Sequence, residues 1–309
     1  MISTAILCSG QGAQNAGMFD LLADAAEAEP VFSAAKQLLG QDPRDFVRHA
    51  TDEAIHLDKA GQILCCTQAM AAWSVIGSAL QRPLLVAGYS IGELAAWGVA
   101  GLLDAEGVLK LAAQRASAMD EVTAEPSGLA AIRGLALPAL RPICEARGAY
   151  IAIINAFDQI LVGGTKAALD KVIEDAVASG AARTTMLPVA VASHTPLLTK
   201  ASAAFRQELN EAPMPVEMPT GIRLLSGTDG APIFDVRSGA DKLARQIMQT
   251  VDWAACMDTC RAAGVIKIIK LGPGAALTRL MRDSIPEADA HSLAEFRSLD
   301  GFVRWATKV

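Results

Sequence analysis

The sequence predicts an α/β fold: a large domain built on a mainly parallel sheet, with a small ferredoxin-like domain inserted into it. Two patterns lead to this prediction. Short apolar segments alternate with helical segments on both sides of the middle of the chain, which is the order that parallel sheets need. Between them, the order β-α-β-β-α-β runs through about 65 residues, as in the ferredoxin-like split unit. We expect residues 1–125 and 196–309 to form the large domain and residues 126–195 the small one.

The elements before the insert begin with a short buried strand that runs into a glycine-containing turn. The segment 62–80 is apolar almost all round, which predicts a buried helix. The apolar run 83–88 predicts a strand that leads directly into a second glycine-containing turn. In order, the predicted elements are a strand at 2–8, helices at 20–40 and 62–80, a strand at 83–88, and helices at 93–101 and 104–121.

The elements of the insert follow Pro126. Two of its strands meet at a tight turn formed by Phe157 and Asp158, and Gly180 marks the end of the helix that comes next. The predicted elements are a strand at 128–134, a helix at 137–148, strands at 150–156 and 159–164, a helix at 165–180 and a strand at 182–189, followed outside the insert by a helix at 197–211 and a strand at 265–272.

The composition excludes several classes of protein. With 309 residues, 52% of them hydrophobic and 19% charged, the chain can bury a sizeable core and is not disordered as a whole. Its formal net charge of −6 disfavours a nucleic acid as partner. No apolar run reaches the roughly 18 residues of a membrane span, and the start of the sequence lacks the basic region of a signal peptide, so we expect no membrane partner.

The cysteines and histidines do not indicate a metal site. The chain has six cysteines and four histidines, and no two cysteines have the C-x-x-C spacing of a structural zinc site. We therefore expect no bound metal, and reduced thiols in the cytoplasm.

The turn after the strand at 83–88, Gly88-Tyr89-Ser90-Ile91-Gly92, matches the pattern G-x-S-x-G between a strand and a helix. This is the context of a nucleophile elbow. On such a turn the serine hydroxyl is raised clear of the sheet, and the next backbone N–H, that of Ile91, faces the position of a developing oxyanion. Ser90 is therefore the candidate nucleophile.

A serine hydroxyl needs a general base, and histidine supplies it most often. His49 and His56 lie in a charged stretch and are expected to face solvent, and His291 follows a polar segment. His194 lies where the predicted insert returns to the large domain. Clefts between domains are common places for active sites, so His194 is the candidate base.

Beyond the elbow, a set of short motifs is spread over nearly the whole chain. They are Gly10-Gln11-Gly12-Ala13-Gln14, Thr67-Gln68, Gly88 to Ala96, Gln114-Arg115-Ala116 with Met119, Asn155 with Gln159, Ser193-His194, Val251-Asp252-Trp253, and Gly272-Pro273-Gly274 with Leu277. In this order the set resembles the malonyl-CoA:acyl-carrier-protein transacylase family, and the ordered set is far more specific than any one motif. The fold that the resemblance implies is a hydrolase-like α/β large domain with a ferredoxin-like insert.

The resemblance implies that Ser90 is acylated by malonyl-CoA, with His194 as its base. It implies that the backbone N–H groups of Gln11 and Ile91 form the oxyanion hole. Arg115 would bind the free carboxylate of the malonyl group, to which a planar guanidinium is well matched. The malonyl group would then pass to the phosphopantetheine-type arm of an acyl carrier protein. The CoA thioester would be a substrate, with no tightly bound cofactor.

Three further residues complete the predicted site. The resemblance includes Gln68 and Asn155 as substrate-binding residues. It also implies that the catalytic histidine donates its Nδ1–H to a backbone carbonyl at the position of Asp252. Because this residue is itself an acid, its side chain is a second candidate to orient His194, and an aspartate that only begins a helix is the alternative.

One position departs from the family pattern. Tyr89 stands where the family usually has histidine, and together with the segment 92–97 it resembles the malonyl-transferase subunit of biotin-independent malonate decarboxylase. We therefore predict the transacylase associated with malonate decarboxylation. The malonyl transacylase of fatty-acid biosynthesis is the alternative.

Two other functions stay open from the sequence. A serine hydrolase would have the chain order Ser90, Asp252, His291. A non-catalytic scaffold in a synthase complex would need no catalytic side chains, and the intact Ser90, His194 and Arg115 argue against it.

Overall fold

The computed structural model describes residues 2–123 and 125–308, so the end residues of the predicted large domain, 1 and 309, lie outside it. The strands form two five-stranded sheets. In chain order the strands are β1 (Thr4–Cys8), β2 (Leu84–Gly88), β3 (Ser127–Arg133), β4 (Tyr150–Ala156), β5 (Gln159–Thr165), β6 (Arg183–Met186), β7 (Ile222–Leu224), β8 (Val251–Asp252), β9 (Lys267–Leu271) and β10 (Asp289–Ser292).

The helices lie between these strands. They are α1 (Glu29–Leu39), α2 (Pro43–His49), α3 (Asp52–His56), α4 (Asp58–Ile76), α5 (Gly92–Val99), α6 (Ala105–Val122), α7 (Leu137–Arg147), α8 (Lys166–Ala178), α9 (Thr199–Glu211), α10 (Val236–Arg245), α11 (Trp253–Ala262), α12 (Ala276–Ser284) and α13 (Leu299–Thr307), with short 3₁₀ helices at Ala26–Ala28, Pro196–Leu198 and Leu293–Glu295. No helix in the described parts of the chain is long and apolar enough to cross a membrane.

The first sheet has the strand order β10-β9-β1-β2-β7, and all its neighbouring strands run parallel. Alternate residues of β1 pack into different cores on the two faces: Ile6 and Cys8 into one, Ala5 and Leu7 into the other. A strand buried on both faces needs apolar residues at every position, which explains the continuous apolar runs of β1 and β2. The predicted α/β fold with a mainly parallel sheet is confirmed.

The second sheet has the strand order β6-β3-β5-β4-β8. Strands β3 to β6 pair antiparallel, in the arrangement of the ferredoxin-like unit, and α7 and α8 contribute to a separate apolar core with them. Strand β8 joins the edge of this sheet parallel to β4. Because β8 comes from outside residues 126–195, the sheet extends beyond the predicted insert, and the domain boundaries stay a prediction.

Several predicted elements are shorter in the structure, and proline explains two of them. The helix predicted over 20–40 begins at Glu29, with Pro30 in its first turn, because the proline ring clashes with a preceding helical turn. The strand predicted over 182–189 ends at Met186, shortly before Pro188, which has no N–H to donate to a neighbouring strand.

Three strands of the first sheet end in loops that carry predicted site residues or pack beside them, and these loops lie at one edge of the sheet. In a parallel sheet the carboxyl ends of neighbouring strands lie side by side. Strand β1 leads into Gln11, β2 leads into Ser90, and β9 leads into Gly272. The functional site is built at this edge.

Candidate active site

Ser90 lies on a sharp turn between β2 and α5. Its φ of 55° is in the left-handed region, where a non-glycine residue is strained. The turn also needs Gly92, since a Cβ at that position would lie 2.2 Å from the carbonyl oxygen of Cys8. The strand therefore passes directly into the helix, and the Ser90 hydroxyl is presented at the carboxyl edge of the sheet, as the motif predicts.

His194 is brought to Ser90 from a distant part of the chain. Its Nε2 lies 2.8 Å from the Ser90 Oγ, and its Nδ1 lies 2.6 Å from the backbone carbonyl oxygen of Gln246. The backbone N–H of His194 donates to the backbone carbonyl of Ile247 at 2.8 Å. Because a carbonyl can only accept, Nδ1 carries the proton of the neutral ring, and Nε2 is left to accept from the serine hydroxyl.

The surroundings of His194 favour the neutral imidazole. Complete burial and, to a smaller extent, the positive charge of Arg115 lower the pKa of its ring to about 3, although the hydrogen bond to the Gln246 carbonyl opposes the shift. At neutral pH the ring is therefore ready to accept a proton. This geometry fits the predicted role of His194 as general base for Ser90, and that role stays a prediction.

The prediction that Asp252 orients His194 is wrong. Asp252 precedes α11, and its carboxylate accepts from the N–H of Ala255 at 2.9 Å, which is the geometry of a helix cap. The Asp252 carboxylate thus caps the N-terminus of α11. The carbonyl that accepts the Nδ1–H of His194 belongs to Gln246.

The two predicted oxyanion donors lie beside the elbow. Gln11 follows Gly10, and a Cβ at Gly10 would lie 2.9 Å from the carbonyl oxygen of Tyr89 and 3.6 Å from the Cβ of Ser90. Within residues 2–123 and 125–308, neither the Gln11 N–H nor the Ile91 N–H donates to a protein acceptor. Both donors are free for a ligand oxygen, and their role as the oxyanion hole stays a prediction.

Arg115 lies on α6, and only 1% of it is exposed. One guanidinium nitrogen donates to Oε1 of Gln62 at 2.8 Å, and the other terminal nitrogen donates to Oε1 of Gln246 at 3.4 Å. In the part of the chain that the structure describes, no carboxylate oxygen lies within 4.0 Å of this guanidinium. Burial lowers the pKa of Arg115 below its ordinary value, although the charges of Asp58, Cys66 and Glu93 oppose the shift.

Gln246 connects the parts of the site, and no sequence pattern identified it. Its amide nitrogen donates to the carbonyl of Ser90 at 3.1 Å and to Oε2 of Glu93 at 2.6 Å. Glu93 is completely buried, which raises the pKa of its carboxyl to about 7, although hydrogen bonds from Gly227 and Gln246 oppose this shift. The only signal for Glu93 was its place in the elbow motif, and none marked Gln246.

With this geometry in view, the comparisons with known proteins decide the family. The sequence profile of the acyl transferase domain matches residues 6–294. The chain belongs to the acyl transferase family.

Other members are similar to this acyl transferase along nearly their full length. The malonyl CoA-acyl carrier protein transacylase of Salmonella typhimurium is 29% identical over 302 residues, which cover 96% of this chain and 97% of that protein. The transacylase of the same name from Mycobacterium bovis is 30% identical over 305 residues, covering 96% and 98%. The crystal structure of the acyl-carrier-protein S-malonyltransferase of Burkholderia pseudomallei matches with a TM-score of 0.90 and 29% identity, covering 98% of this chain and 100% of that one.

Gln68 and Asn155, which are predicted to bind substrate in this acyl transferase, lie in different surroundings. Gln68 is buried on α4, and its amide nitrogen donates to the carbonyl of Met18, so the structure joins it to a loop and not to the Ser90–His194 pair. Asn155 lies near the end of β4, beside the phenol of Tyr89, and its Oδ1 is buried without a hydrogen-bond partner among the described residues. Asn155 thus has an acceptor to offer near the elbow.

The structure does not assemble the hydrolase set of Ser90, Asp252 and His291. His291 lies on β10, and two strands, β9 and β1, separate it from β2. Its ring packs edge-on against Phe296 and Trp305, with centroids 5.7 and 5.0 Å away. The remaining two histidines, His49 and His56, each bond to a backbone carbonyl of their own short helix.

Proposed function

We propose that this acyl transferase moves a malonyl group from malonyl-CoA to the thiol of a phosphopantetheine-type arm on an acyl carrier protein. The observation that carries the proposal is the buried guanidinium of Arg115, which has no carboxylate partner in the described chain and is linked to the Ser90–His194 pair through Gln246. A buried charge without a partner is costly. A substrate that brings its own carboxylate would supply that partner.

In the first half-reaction the Ser90 Oγ attacks the thioester carbonyl of malonyl-CoA while Nε2 of His194 takes the hydroxyl proton. The tetrahedral intermediate then collapses, the C–S bond breaks, and the CoA sulfur leaves with the proton held by His194. A malonyl ester on Ser90 remains. In the second half-reaction the thiol of the carrier arm gives its proton to His194 and its sulfur attacks the ester carbonyl. The C–Oγ bond then breaks, and the Ser90 oxygen takes the proton held by His194, which restores the serine hydroxyl. Each step balances with the CoA thioester as substrate, so the proposal includes no tightly bound cofactor.

The N–H groups of Gln11 and Ile91 are the donors that would stabilise the oxyanion in both half-reactions. Removal of one such donor in other enzymes raises the barrier by about 3 kcal/mol. Both groups are fixed on loops at the carboxyl edge of the sheet, so little reorganisation is needed as the charge develops.

The role of Arg115 is tested by substrate selectivity. Loss of one partner of a buried charge pair costs about 3–5 kcal/mol, or roughly two to four powers of ten in kcat/KM. Arg115→Ala should therefore lose malonyl transfer by about that factor and lose much less with acetyl-CoA, which has no carboxylate. Arg115→Lys should restore little, because an ammonium cannot make the same two-pronged contact.

The measurement is kcat/KM for malonyl-CoA and acetyl-CoA in the wild type and in both variants. Arg206→Ala is the matched control, since Arg206 on α9 pairs with Asp241 at 2.5 Å away from the Ser90–His194 contacts. An equal fall with the two substrates in Arg115→Ala would contradict carboxylate recognition.

Two pathways could use this transfer. The relatives reported above are named malonyl CoA-acyl carrier protein transacylase or acyl-carrier-protein S-malonyltransferase, and none of these names mentions malonate decarboxylase. This supports the fatty-acid-biosynthesis form over the malonate decarboxylase subunit. The observation that favours the second candidate is the residue at position 89, which is tyrosine where the family usually has histidine. Its ring packs edge-on against Trp253 with centroids 5.4 Å apart. The discriminating experiment compares kcat/KM for a phosphopantetheine carrier protein and for a carrier with a further modified CoA-derived arm. Preference for the modified arm, lost in Tyr89→His, would support the decarboxylase subunit.

A further inference from the structure

Lys270 is a buried cation that the proposed reaction does not use. It lies on β9, and none of it is exposed to solvent. Lysine is rarely buried completely unless it is paired. In the described residues, no carboxylate oxygen lies within 4.0 Å of its ammonium. Burial lowers its pKa to about 7, and the nearby Cys65, Cys8 and Glu295 oppose the shift.

Three backbone carbonyls take the place of an acidic partner. The Lys270 ammonium donates to the carbonyl oxygens of Gly272, Pro273 and Gly274, at 2.7 Å for both glycines. An ammonium has three N–H donors, so this single turn satisfies all of them. Both glycines have φ in the left-handed region, 89° and 70°, which lets three successive carbonyls face one cation.

The same turn packs against both ends of the loop that carries Gln11. At one end, the Ser9 N–H donates to the carbonyl of Leu271 at 3.0 Å and the Ser9 hydroxyl donates to the carbonyl of Pro273 at 3.3 Å. At the other end, a Cβ at Gly274 would lie 2.5 Å from the Cβ of Ala13. A shift of the turn would therefore displace the segment from Ser9 to Ala13, with Gln11 at its centre.

We propose that Lys270 is a positioning residue that fixes the turn from Gly272 to Gly274 and, through it, the Gln11 N–H relative to Ser90. The inference rests on the proposed function for the oxyanion role of Gln11. An oxyanion donor must lie at hydrogen-bond distance from the intermediate, and a misplacement of about 1 Å in a catalytic geometry can cost about 100-fold in rate. The cation acts on the rate through the loop and touches no substrate.

The chain offers a matched control on the same strand. Lys267 also donates to two backbone carbonyls, those of Trp305 and Lys308, at the other end of β9. Among the described residues, its ammonium makes no hydrogen bond to the turn from Gly272 to Gly274. Lys267→Met and Lys270→Met remove the same group from the same strand, and only the second removes the cation that holds the turn.

The test measures kcat and KM for malonyl-CoA and acetyl-CoA in both variants, and amide hydrogen exchange in the full chain. We expect Lys270→Met to lower kcat by about 10–100-fold equally for both substrates, with KM changed by less than about threefold. Lys267→Met should stay within about twofold of the wild type. Exchange in a peptide over residues 9–14 should become about tenfold faster in Lys270→Met, with no change in β2.

A wild-type kcat in folded Lys270→Met, an equal loss in Lys267→Met, or a loss confined to KM would overturn the inference. If Lys270→Met does not fold, Gly274→Ala replaces it, because its Cβ displaces Ala13 and leaves the cation in place. It should show the same fall in kcat, and a wild-type kcat would again overturn the inference.

The two proposals fail separately. If malonyl-CoA never acylates Ser90, the proposed function fails, and the exchange measurement still tests whether Lys270 holds the loop. If acylation and the Arg115 selectivity are found while the Lys270 variants keep wild-type kcat and exchange, the inference about Lys270 alone fails.

Discussion

At the level of single residues, Gln246 links several parts of the site. Its carbonyl accepts from His194, and its side-chain amide bonds to the Ser90 carbonyl and the Arg115 guanidinium. One residue thus fixes the tautomer of the base and spaces the arginine from the nucleophile. The charge of Arg115 in turn helps to keep His194 neutral.

The pH dependence of acylation should reflect the low pKa of His194. The active form of a general base is unprotonated, so activity is lost as the pH falls through its pKa. Because burial and Arg115 lower that pKa from 6.5 to about 3, kcat/KM should show no acid limb centred near 6.5. Arg115→Ala, assayed with acetyl-CoA, should move the acid limb to higher pH. The measurement is kcat/KM from pH 4 to 8.

A wild-type acid limb with its midpoint near 6.5 would contradict the buried, neutral histidine. Glu93, with a pKa near 7, titrates in the same window. The profile of Glu93→Gln separates the two groups, since a limb that disappears in this variant belongs to the glutamate carboxyl.

At the scale of elements, the elbow depends on how closely α5 begins above the end of β1. Cys8 pairs with Gly88 in the parallel register, and the chain then turns so that Gly92 lies against the Cys8 carbonyl. The same strand end continues into the loop of Gln11. A change at this contact therefore acts on the nucleophile and on the oxyanion loop together.

Gly92→Ala should damage both stability and activity. Its Cβ would lie 2.2 Å from the Cys8 carbonyl oxygen, a backbone atom that can move only with its strand. We expect a loss of about 1–3 kcal/mol in the free energy of unfolding and a fall of at least about tenfold in kcat of the folded protein. Urea denaturation and active-site titration measure the two effects.

Gly98→Ala on the same helix is the control. Its Cβ would meet the flexible side chain of Met70 and a methyl group of Val108, away from the elbow. It should lower stability and leave kcat per folded molecule unchanged. Wild-type kcat in Gly92→Ala would show that the elbow tolerates the displacement.

At the scale of the whole molecule, the sequence was informative where chemistry or periodicity spans several residues. The apolar runs of β1 and β2, and the order of elements between β3 and β6, predicted both sheets. Ser90 and His194 could be found because a serine on an elbow requires a base. Beyond Glu211 the elements are short, and β7 with three residues and β8 with two carry no periodicity to read.

The rest of the site could not be predicted from the sequence, and Gln246 and Lys270 show the physical reasons. Gln246 orients His194 through a backbone carbonyl, which every residue has, so no side chain marks the position. The resemblance placed this carbonyl at Asp252, whose acidic side chain was a second candidate. Lys270 interrupts an apolar strand, and only the fold shows that three carbonyls face its ammonium. Such partners come from distant segments, and local sequence patterns do not encode them.

The proposed reaction requires Ser90 to carry the malonyl group between two thiols. Intact-mass analysis after incubation with malonyl-CoA tests it most directly, in the wild type and in Ser90→Ala. We expect one malonyl group on the wild type, removed when a carrier protein with a free phosphopantetheine thiol is added, and none on a folded Ser90→Ala. A malonyl adduct that persists in Ser90→Ala, or a wild-type adduct that only water removes, would contradict it.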